Sequence, residues 1–193
     1  MNYAELSRIE LEDILLQPCR FEADVTLCRE QADGCAVAHT PQRGHRMRHA
    51  LSAAHELLTR IAEQEIKSRC LLSSPDLVRH YLRVLFAGAE RETFVVIYLD
   101  NGNRVIEVER PFSGTLSEMP VYPREIARRA LQLNAAAVIC AHPYPSLDET
   151  PSRADIVLTK QLQSALALIG VRLLDHFVVA GTAIASCAEQ GVL

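Results

Sequence analysis

The spacing of hydrophobic and polar residues changes several times along the chain, and each change predicts a new element. In residues 49–69, apolar residues recur at helical spacing among good helix formers, which predicts one amphipathic helix. A second helix is expected from Pro75 onwards, because Ser74 is a favourable N-cap and proline suits the first turn. The expected inner faces are Leu51, Leu57, Leu58 and Ile61 in the first helix and Leu77, Val78, Tyr81, Leu82 and Leu85 in the second.

The stretch "ETFVVIYLDNGNRVIEVERPF" has the pattern of extended chain instead. It is rich in β-branched and aromatic residues and is interrupted by Asn101-Gly102, a strong signal for a tight hairpin turn. We therefore predict two antiparallel strands, roughly Thr93 to Leu99 and Arg104 to Glu109.

Two further pairs, each a helix followed by a strand, complete the pattern. "PREIARRALQLN" predicts a short helix before "AAAVICAH", which is apolar enough to be a strand buried on both faces. "SRADIVLTKQLQSALALIG" predicts a longer helix that ends at Gly170, and "VRLLDHFVVAG" predicts another buried strand before an edge strand or tail. This order predicts an α/β fold in which helices pack on a mixed sheet. The expected inner faces are Ile126, Ala130 and Leu133 in the shorter helix and Leu158, Leu162, Ala165, Leu166 and Ile169 in the longer one.

Length and charge limit the classes of protein to which the chain can belong. Its 193 residues suffice for one well-buried domain plus an appendage. A net charge of −4 gives no global electrostatic reason to bind nucleic acid or an anionic membrane, since such binding depends on Lys and Arg. The only basic cluster comprises Arg43, Arg46 and Arg48, and a solvated helix face explains it better than DNA does.

Nothing in the sequence predicts a membrane or secretory segment. No stretch approaches the ~18 consecutive apolar residues of a membrane-spanning helix, and the start lacks a basic region followed by an apolar one. The six cysteines form no C-x-x-C pair and are typical of reduced thiols, with Cys140 and Cys187 expected in the core. We therefore expect a soluble, cytoplasmic protein without a membrane partner.

One segment, "CAHPYPSLDETPSRAD", concentrates the candidate chemistry. His142 follows a predicted buried strand, and Tyr144 would point the same way if the strand continues. Asp155 lies near the start of the next helix, where free backbone N–H groups favour a carboxylate, and zinc binds carboxylate alongside imidazole. Ser152 and Asp155 also have the spacing of a capping box, which alone explains both residues. From spacing alone, the capping box is favoured over a metal site.

Several stretches, taken in order, resemble a known family. These stretches are "RETFVVIYLDNGNRVIEVERPFSGT", "VYPREIARRALQLNAAAVICAH", "PSRADIVLTKQLQSALALIGVRLLDHFVVAG" and "AEQGVL". Together they are similar to the RadC family, the bacterial branch of the JAB/MPN (JAMM) metalloprotease fold. The resemblance covers roughly residues 70–193 and implies a mixed β-sheet flanked by helices. It leaves residues 1–69 as a helical N-terminal region.

The resemblance also implies a zinc hydrolase site, with a glutamate before the first strand, then H-x-H-P-S-G, then P-S-x-x-D. By position, Glu92 is the general base, and His142 and Asp155 are zinc ligands. Ser152 is a polar stabiliser of the attacking water or the oxyanion. Tyr144 stands where the family has its second histidine. Because the pKa of tyrosine is about 10, presenting a phenolate at pH 7 costs roughly 4 kcal/mol before zinc contributes.

The residues leave two alternatives open. Cys140 and His142 would also make a good zinc donor pair, although the gapless match to the family favours Cys140 as a core residue. The chain is either a zinc-dependent metallopeptidase-like hydrolase that acts on a peptide or protein, or a non-catalytic RadC-like binding or scaffold protein that has lost zinc. Leu147 in place of the motif's glycine, together with Pro143, predicts an altered loop.

Members of the family often carry, before the JAB domain, a region that resembles a helix-hairpin-helix module with a DNA-gripping Gly-x-Gly hairpin. Residues 1–69 offer only isolated Gly34 and Gly44, which predicts a degenerate form of that module. Nucleic-acid contacts and an association with DNA repair then rest on Arg43, Arg46 and Arg48. The residues specify neither the substrate nor the oligomeric state.

Overall fold

A computed structural model describes residues 2–16, 41–68, 75–89, 93–113, 120–144 and 150–193. By internal contacts the chain divides into two compact units, Met1–Leu58 and Thr59–Leu193. The first unit contains a 3₁₀ turn, Tyr3–Glu5, helix α1, Arg8–Leu16, and the first part of helix α2, Pro41–Lys67. The division falls inside α2, and the expected domain boundary between residues 69 and 70 stays a prediction.

Helix α2 begins earlier than expected, and its predicted inner face is wrong at three of four positions, since only Leu57 is partly buried. Leu51, Leu58 and Ile61 are 63%, 56% and 57% exposed. The buried positions are instead Ala53, Thr59, Ala62 and Ile66. The helix carries apolar residues on two faces, so the apolar pattern alone does not decide which face is buried.

The basic cluster lies in the first part of α2. Arg46 and Arg48 are exposed, whereas the side chain of Arg43 lies outside the described residues. Among the described helices, none has an apolar stretch of the length needed to cross a membrane.

The second unit is built on a five-stranded sheet. Its strands are β1 (Thr93–Leu99), β2 (Val105–Ser113), β3 (Ala137–Pro143), β4 (Arg172–Ala180) and β5 (Ala183–Ser186). The strand order is β2-β1-β3-β4-β5, and only the β3–β4 pair is parallel. The prediction of a mixed sheet flanked by helices is confirmed.

Helices cover both faces of this sheet, and the central strands β1 and β3 are therefore buried on both sides. One face packs against the end of α2 and α3 (Pro75–Leu85), the other against α4 (Pro123–Gln132) and α5 (Arg153–Ala167). The predicted inner residues of α3, α4 and α5 lie in or against these two cores, except Ala165, which is only partly buried. The expected N-cap Ser74 lies outside the described residues. Along β3, alternate residues therefore enter opposite cores, with Ala141 on the α3 side and Cys140 on the α5 side.

The β1–β2 hairpin forms as predicted, but its turn is longer than a two-residue Asn-Gly turn. Asn103, not Gly102, has a positive φ of 57°. The Asp100 carboxylate accepts a hydrogen bond from the Arg104 N–H at 2.9 Å, which stabilises the wider turn. Asparagine is one of the few side chains that tolerate this left-handed conformation.

Candidate metal centre

His142 and Asp155 meet where β3 ends and α5 begins. His142 is the penultimate residue of β3, and Asp155 is the third residue of α5. The side chains are almost fully buried, with His142 6% and Asp155 9% exposed. The Nε2 atom of His142 lies 3.1 Å from Oδ1 of Asp155. The structure therefore brings together two of the predicted ligands.

A cap at the start of α5 fixes the Asp155 carboxylate. Its Oδ2 accepts hydrogen bonds from the Ser152 backbone N–H at 2.8 Å and from the Ser152 hydroxyl at 2.7 Å. The Asp155 N–H in turn donates to Ser152 Oγ at 3.2 Å. The predicted capping box is thus confirmed, and it leaves Oδ1 of Asp155 directed at His142.

The surroundings of Asp155 keep its carboxyl group ionised. Burial alone would raise the pKa of Asp155, but hydrogen bonds with His142 and Ser152 outweigh burial and hold this pKa below its usual range. A carboxylate oxygen that faces a ring nitrogen at 3.1 Å requires a proton or a metal ion between the two atoms. Either Nε2 of His142 carries a hydrogen, which even the neutral ring can donate, or a metal ion takes its place.

Two residues that the sequence analysis did not assign complete the cluster. His176, on β4, is fully buried, and its Nε2 lies 3.1 Å from Nδ1 of His142. The other ring nitrogen of His176 lies 2.7 Å from the hydroxyl of Thr159, a fully buried residue of α5. Burial and the neighbouring His142 lower the pKa of His176 to about 3, so its ring stays neutral.

The sequence carried a signal for both residues. His176 is a polar residue inside an apolar strand that was itself predicted, and in register it pairs with Cys140, two residues before His142. Thr159 follows Asp155 by one helical turn and so lies on the same face of α5. Neither position could be chosen without knowing that β3 and β4 are adjacent.

Phe94 of β1 packs against the two histidines of the cluster. Its ring stacks on His142 with the centroids 6.2 Å apart and an interplanar angle of 14°. Its centroid is also 5.5 Å from that of His176. The pairing of β1 with β3 produces these contacts, since Val95 lies opposite Ala141. The apolar ring restricts the orientation of both imidazoles.

Tyr144 directly follows β3. Its backbone N–H donates to the carbonyl of Val179 at 2.7 Å, so the extended pairing with β4 continues for one more residue. Strand alternation would then direct Tyr144 to the same face as His142, and this orientation stays a prediction. Among the described residues, no three His, Cys, Asp or Glu side chains are grouped so as to hold a metal ion. A third protein ligand would have to be of another type, such as this phenol, or come from another part of the chain.

The remaining predicted positions have different outcomes. Cys140 is confirmed as a core residue, fully buried on the α5 side, and burial raises the pKa of its thiol. Glu92, the expected general base, lies outside the described residues, as does Leu147. Both assignments stay predictions.

Comparison with known proteins identifies the family of the chain. The model of the RadC-like JAB domain matches residues 72–192. A UPF0758 protein of Polaromonas sp. is 49% identical over 150 residues, which cover 78% of this chain and 67% of that protein. A UPF0758 protein of Nitrosospira multiformis is 48% identical over 162 residues, covering 84% of this chain and 72% of its own length. A third, from Chromobacterium violaceum, is 53% identical over 143 residues, which cover 74% of this chain and 64% of that protein. The matches thus span about two thirds of these relatives.

Proposed function

This chain belongs to the RadC family of JAB-domain proteins, and we propose that it is a zinc-dependent, peptidase-like hydrolase whose metal is held by His142 and Asp155. The observation that carries the proposal is the buried pairing of His142 Nε2 with Asp155 Oδ1 at 3.1 Å. Two ligands bound to one tetrahedral zinc ion at ~2.1 Å are about 3.4 Å apart. The two atoms thus have nearly the separation that a shared zinc ion requires.

The donor set fits zinc in chemistry as well as in spacing. Zinc prefers neutral imidazole and ionised carboxylate, and hydrogen bonds with His142 and Ser152 keep Asp155 ionised. Tyr144 stands in the place of the third ligand and would bind as a phenolate. The roughly 4 kcal/mol needed to deprotonate a phenol at pH 7 predicts a weaker site than one with a second histidine.

The residues of the chain have distinct roles in this proposal. Zinc, when bound, supplies a Lewis acid that lowers the pKa of water to about 7 and polarises a carbonyl. Glu92 takes the proton of the attacking water as general base. The Ser152 hydroxyl donates its proton to Asp155 Oδ2 at 2.7 Å and so orients the carboxylate. To act as the candidate donor to the oxyanion, it would have to turn away from this bond, because a hydroxyl has one proton.

A different observation favours a second candidate, a non-catalytic RadC-like binding or scaffold protein. The described residues around His142 satisfy one another without a metal, because Asp155 already accepts from Ser152 and pairs with His142. In this case the exposed Arg46 and Arg48 would supply contacts to nucleic acid, consistent with an association with DNA repair. Such binding would weaken steeply with added salt, because it depends on phosphate contacts.

Elemental analysis of protein purified without chelator distinguishes the two candidates. The hydrolase predicts close to one zinc per chain, lost in His142→Ala and kept in the matched control His80→Ala, whose imidazole is exposed on α3. Zinc absent from the native chain favours the scaffold. Once zinc is present, Glu92→Gln should keep the metal and abolish hydrolysis of a mixed peptide library. Unchanged hydrolysis in that variant would contradict the role of Glu92.

A further inference from the structure

We propose that His176 and Thr159 form a buried positioning pair that holds His142 in the tautomer whose Nε2 atom can bind a metal. The inference rests on the proposed function, because it assigns the residues that prepare one of its ligands. Neither residue would touch the metal. Each would act through His142, as an outer hydrogen-bond partner that fixes the orientation and tautomer of a metal-binding imidazole.

The position of the Thr159 hydroxyl proton determines which atoms donate and which accept in the hydrogen bonds to His176 and His142. Its Oγ1 lies 2.6 Å from the backbone carbonyl of Asp155, and a carbonyl can only accept. The single hydroxyl proton therefore lies between these two oxygens. Thr159 Oγ1 is then left as an acceptor for the ring nitrogen Nδ1 of His176, 2.7 Å away.

The proton of His176 is thereby assigned to Nδ1. A neutral imidazole that donates from Nδ1 carries its lone pair on Nε2. This atom faces Nδ1 of His142 at 3.1 Å and accepts its proton. Because Nδ1 of His142 is the donor in this bond, the Nε2 atom that faces Asp155 is the one available to a metal.

The contact between Thr159 Oγ1 and the Asp155 carbonyl disfavours the opposite assignment, in which His176 donates to His142. If His176 donated from Nε2 to His142, the Thr159 hydroxyl would have to donate to His176 instead. Thr159 Oγ1 and the Asp155 carbonyl oxygen would then lie 2.6 Å apart with no proton between them. His142 would carry its proton on Nε2, which would block that atom from binding a metal.

His176 and Thr159 also connect, through hydrogen bonds, the two elements that carry His142 and Asp155. Thr159 bonds to the backbone of Asp155 on α5, and His176 on β4 contacts His142 on β3. Phe94 packs against both imidazole rings. A hydrogen bond from a threonine hydroxyl to the backbone carbonyl one turn earlier is common in helices. The hydrogen bond between the Thr159 hydroxyl and His176 is not explained by helix formation.

Four variants of the full-length chain test the pair. His176→Leu and Thr159→Val remove the polar atoms at similar volume. His176→Gln keeps an acceptor for His142, and Thr159→Ser keeps the hydroxyl. We expect zinc affinity, measured by competition with a chromophoric chelator, to fall about 10–100-fold in the first two variants. The conservative variants should stay within about threefold of the native chain.

A spectroscopic measurement separates positioning from general support of the fold. Long-range ¹H–¹⁵N NMR reports which nitrogen of a histidine carries the proton, and it applies to the zinc-free chain as well. We expect His176 to be protonated at Nδ1 with and without zinc, and His142 to be protonated at Nδ1 when zinc is bound. A proton on Nε2 of His176 would overturn the inference, as would native zinc affinity in both His176→Leu and Thr159→Val.

The hydrolase proposal and the positioning pair can fail separately, and the two failures give different results. If the native chain binds no zinc, the hydrolase proposal fails, whereas the tautomer of His176 still decides the hydrogen-bond order. If His176→Leu does not fold, Thr159→Val and its Thr159→Ser control decide the effect on affinity.

Discussion

Oδ1 of Asp155 lies 3.1 Å from Nε2 of His142, although the two residues belong to different elements, α5 and β3. The carboxylate is stabilised at the start of a helix, where backbone N–H groups and the helix dipole favour negative charge. The imidazole is held by a strand that is buried on both faces. The pair therefore combines a carboxylate that His142 and a helix cap keep ionised with an imidazole carried by a buried strand.

The cap at α5 should contribute measurably to stability. Replacing Ser152 by alanine removes the hydroxyl that accepts from the Asp155 N–H, and we expect the free energy of unfolding to fall by about 1 kcal/mol. Denaturant unfolding measures this change. Ser164→Ala is the matched control, because its exposed hydroxyl only bonds within the same helix, and it should change stability by less than about 0.5 kcal/mol. Equal losses in both variants would contradict the importance of the cap.

Stability should decrease as the pH falls below the ordinary pKa of histidine. His176 has its pKa lowered from 6.5 to about 3 in the folded chain. Between these values the unfolded chain binds a proton that the folded chain does not, so the free energy of unfolding falls by up to about 1.4 kcal/mol per pH unit. Asp155, whose pKa is also lowered, loses its contribution only below its ordinary value of 3.8.

The variant His176→Gln isolates this effect, because the other titrating groups are unchanged. Its unfolding free energy, measured by denaturant titration from about pH 7 to about pH 4.5, should decline less steeply than that of the native chain. Parallel curves for the two proteins would show that His176 is not buried in its neutral form.

Much of the fold could be predicted from the period of hydrophobic residues. Strand β1 was predicted with its observed bounds, and the inner residues of α3 and α5 were predicted because each has one apolar face. The buried face of helix α2 was mispredicted because this helix has two apolar faces. There Leu51 and Ile61 compete with Ala53 and Ala62, and only tertiary packing decides which face is buried.

Replacing Tyr144 by histidine should strengthen zinc binding. An imidazole binds zinc in its neutral form, so the cost of deprotonating a phenol disappears. We expect the dissociation constant for zinc to fall by about tenfold or more, as measured by competition with a chromophoric chelator. Tyr144→Phe is the control and should not gain affinity. If Tyr144→His binds zinc no better than Tyr144→Phe, then Tyr144 does not occupy the third ligand's position.

Tyr98 provides a test of the core that is independent of the metal. Its ring is fully buried between β1 and α4, and its hydroxyl has no hydrogen-bond partner among the described residues. Burial also raises the pKa of this phenol. Because an unsatisfied buried hydroxyl is costly, Tyr98→Phe should raise the free energy of unfolding by about 1 kcal/mol. The half-exposed Tyr122→Phe should have little effect. A loss of stability in Tyr98→Phe would show that a water molecule satisfies the hydroxyl.

The candidate site was only partly predictable from the sequence. His142, Ser152 and Asp155 lie within one segment, so their spacing and family motif could be recognised. His176 comes from β4, and it reaches His142 only because β3 and β4 pair in parallel. Local spacing carries no information about that pairing, and for the same reason the link through Thr159 was not predicted.

The central claim is that His142 and Asp155 bind the same zinc ion, and anomalous diffraction from zinc-loaded crystals tests it most directly. Data collected on both sides of the zinc absorption edge should give one strong peak at about 2.0–2.2 Å from both Nε2 of His142 and Oδ1 of Asp155. The same peak should be missing from crystals of His142→Ala grown under the same conditions. A native crystal with no peak between these two residues, or with its zinc bound elsewhere, would contradict the claim.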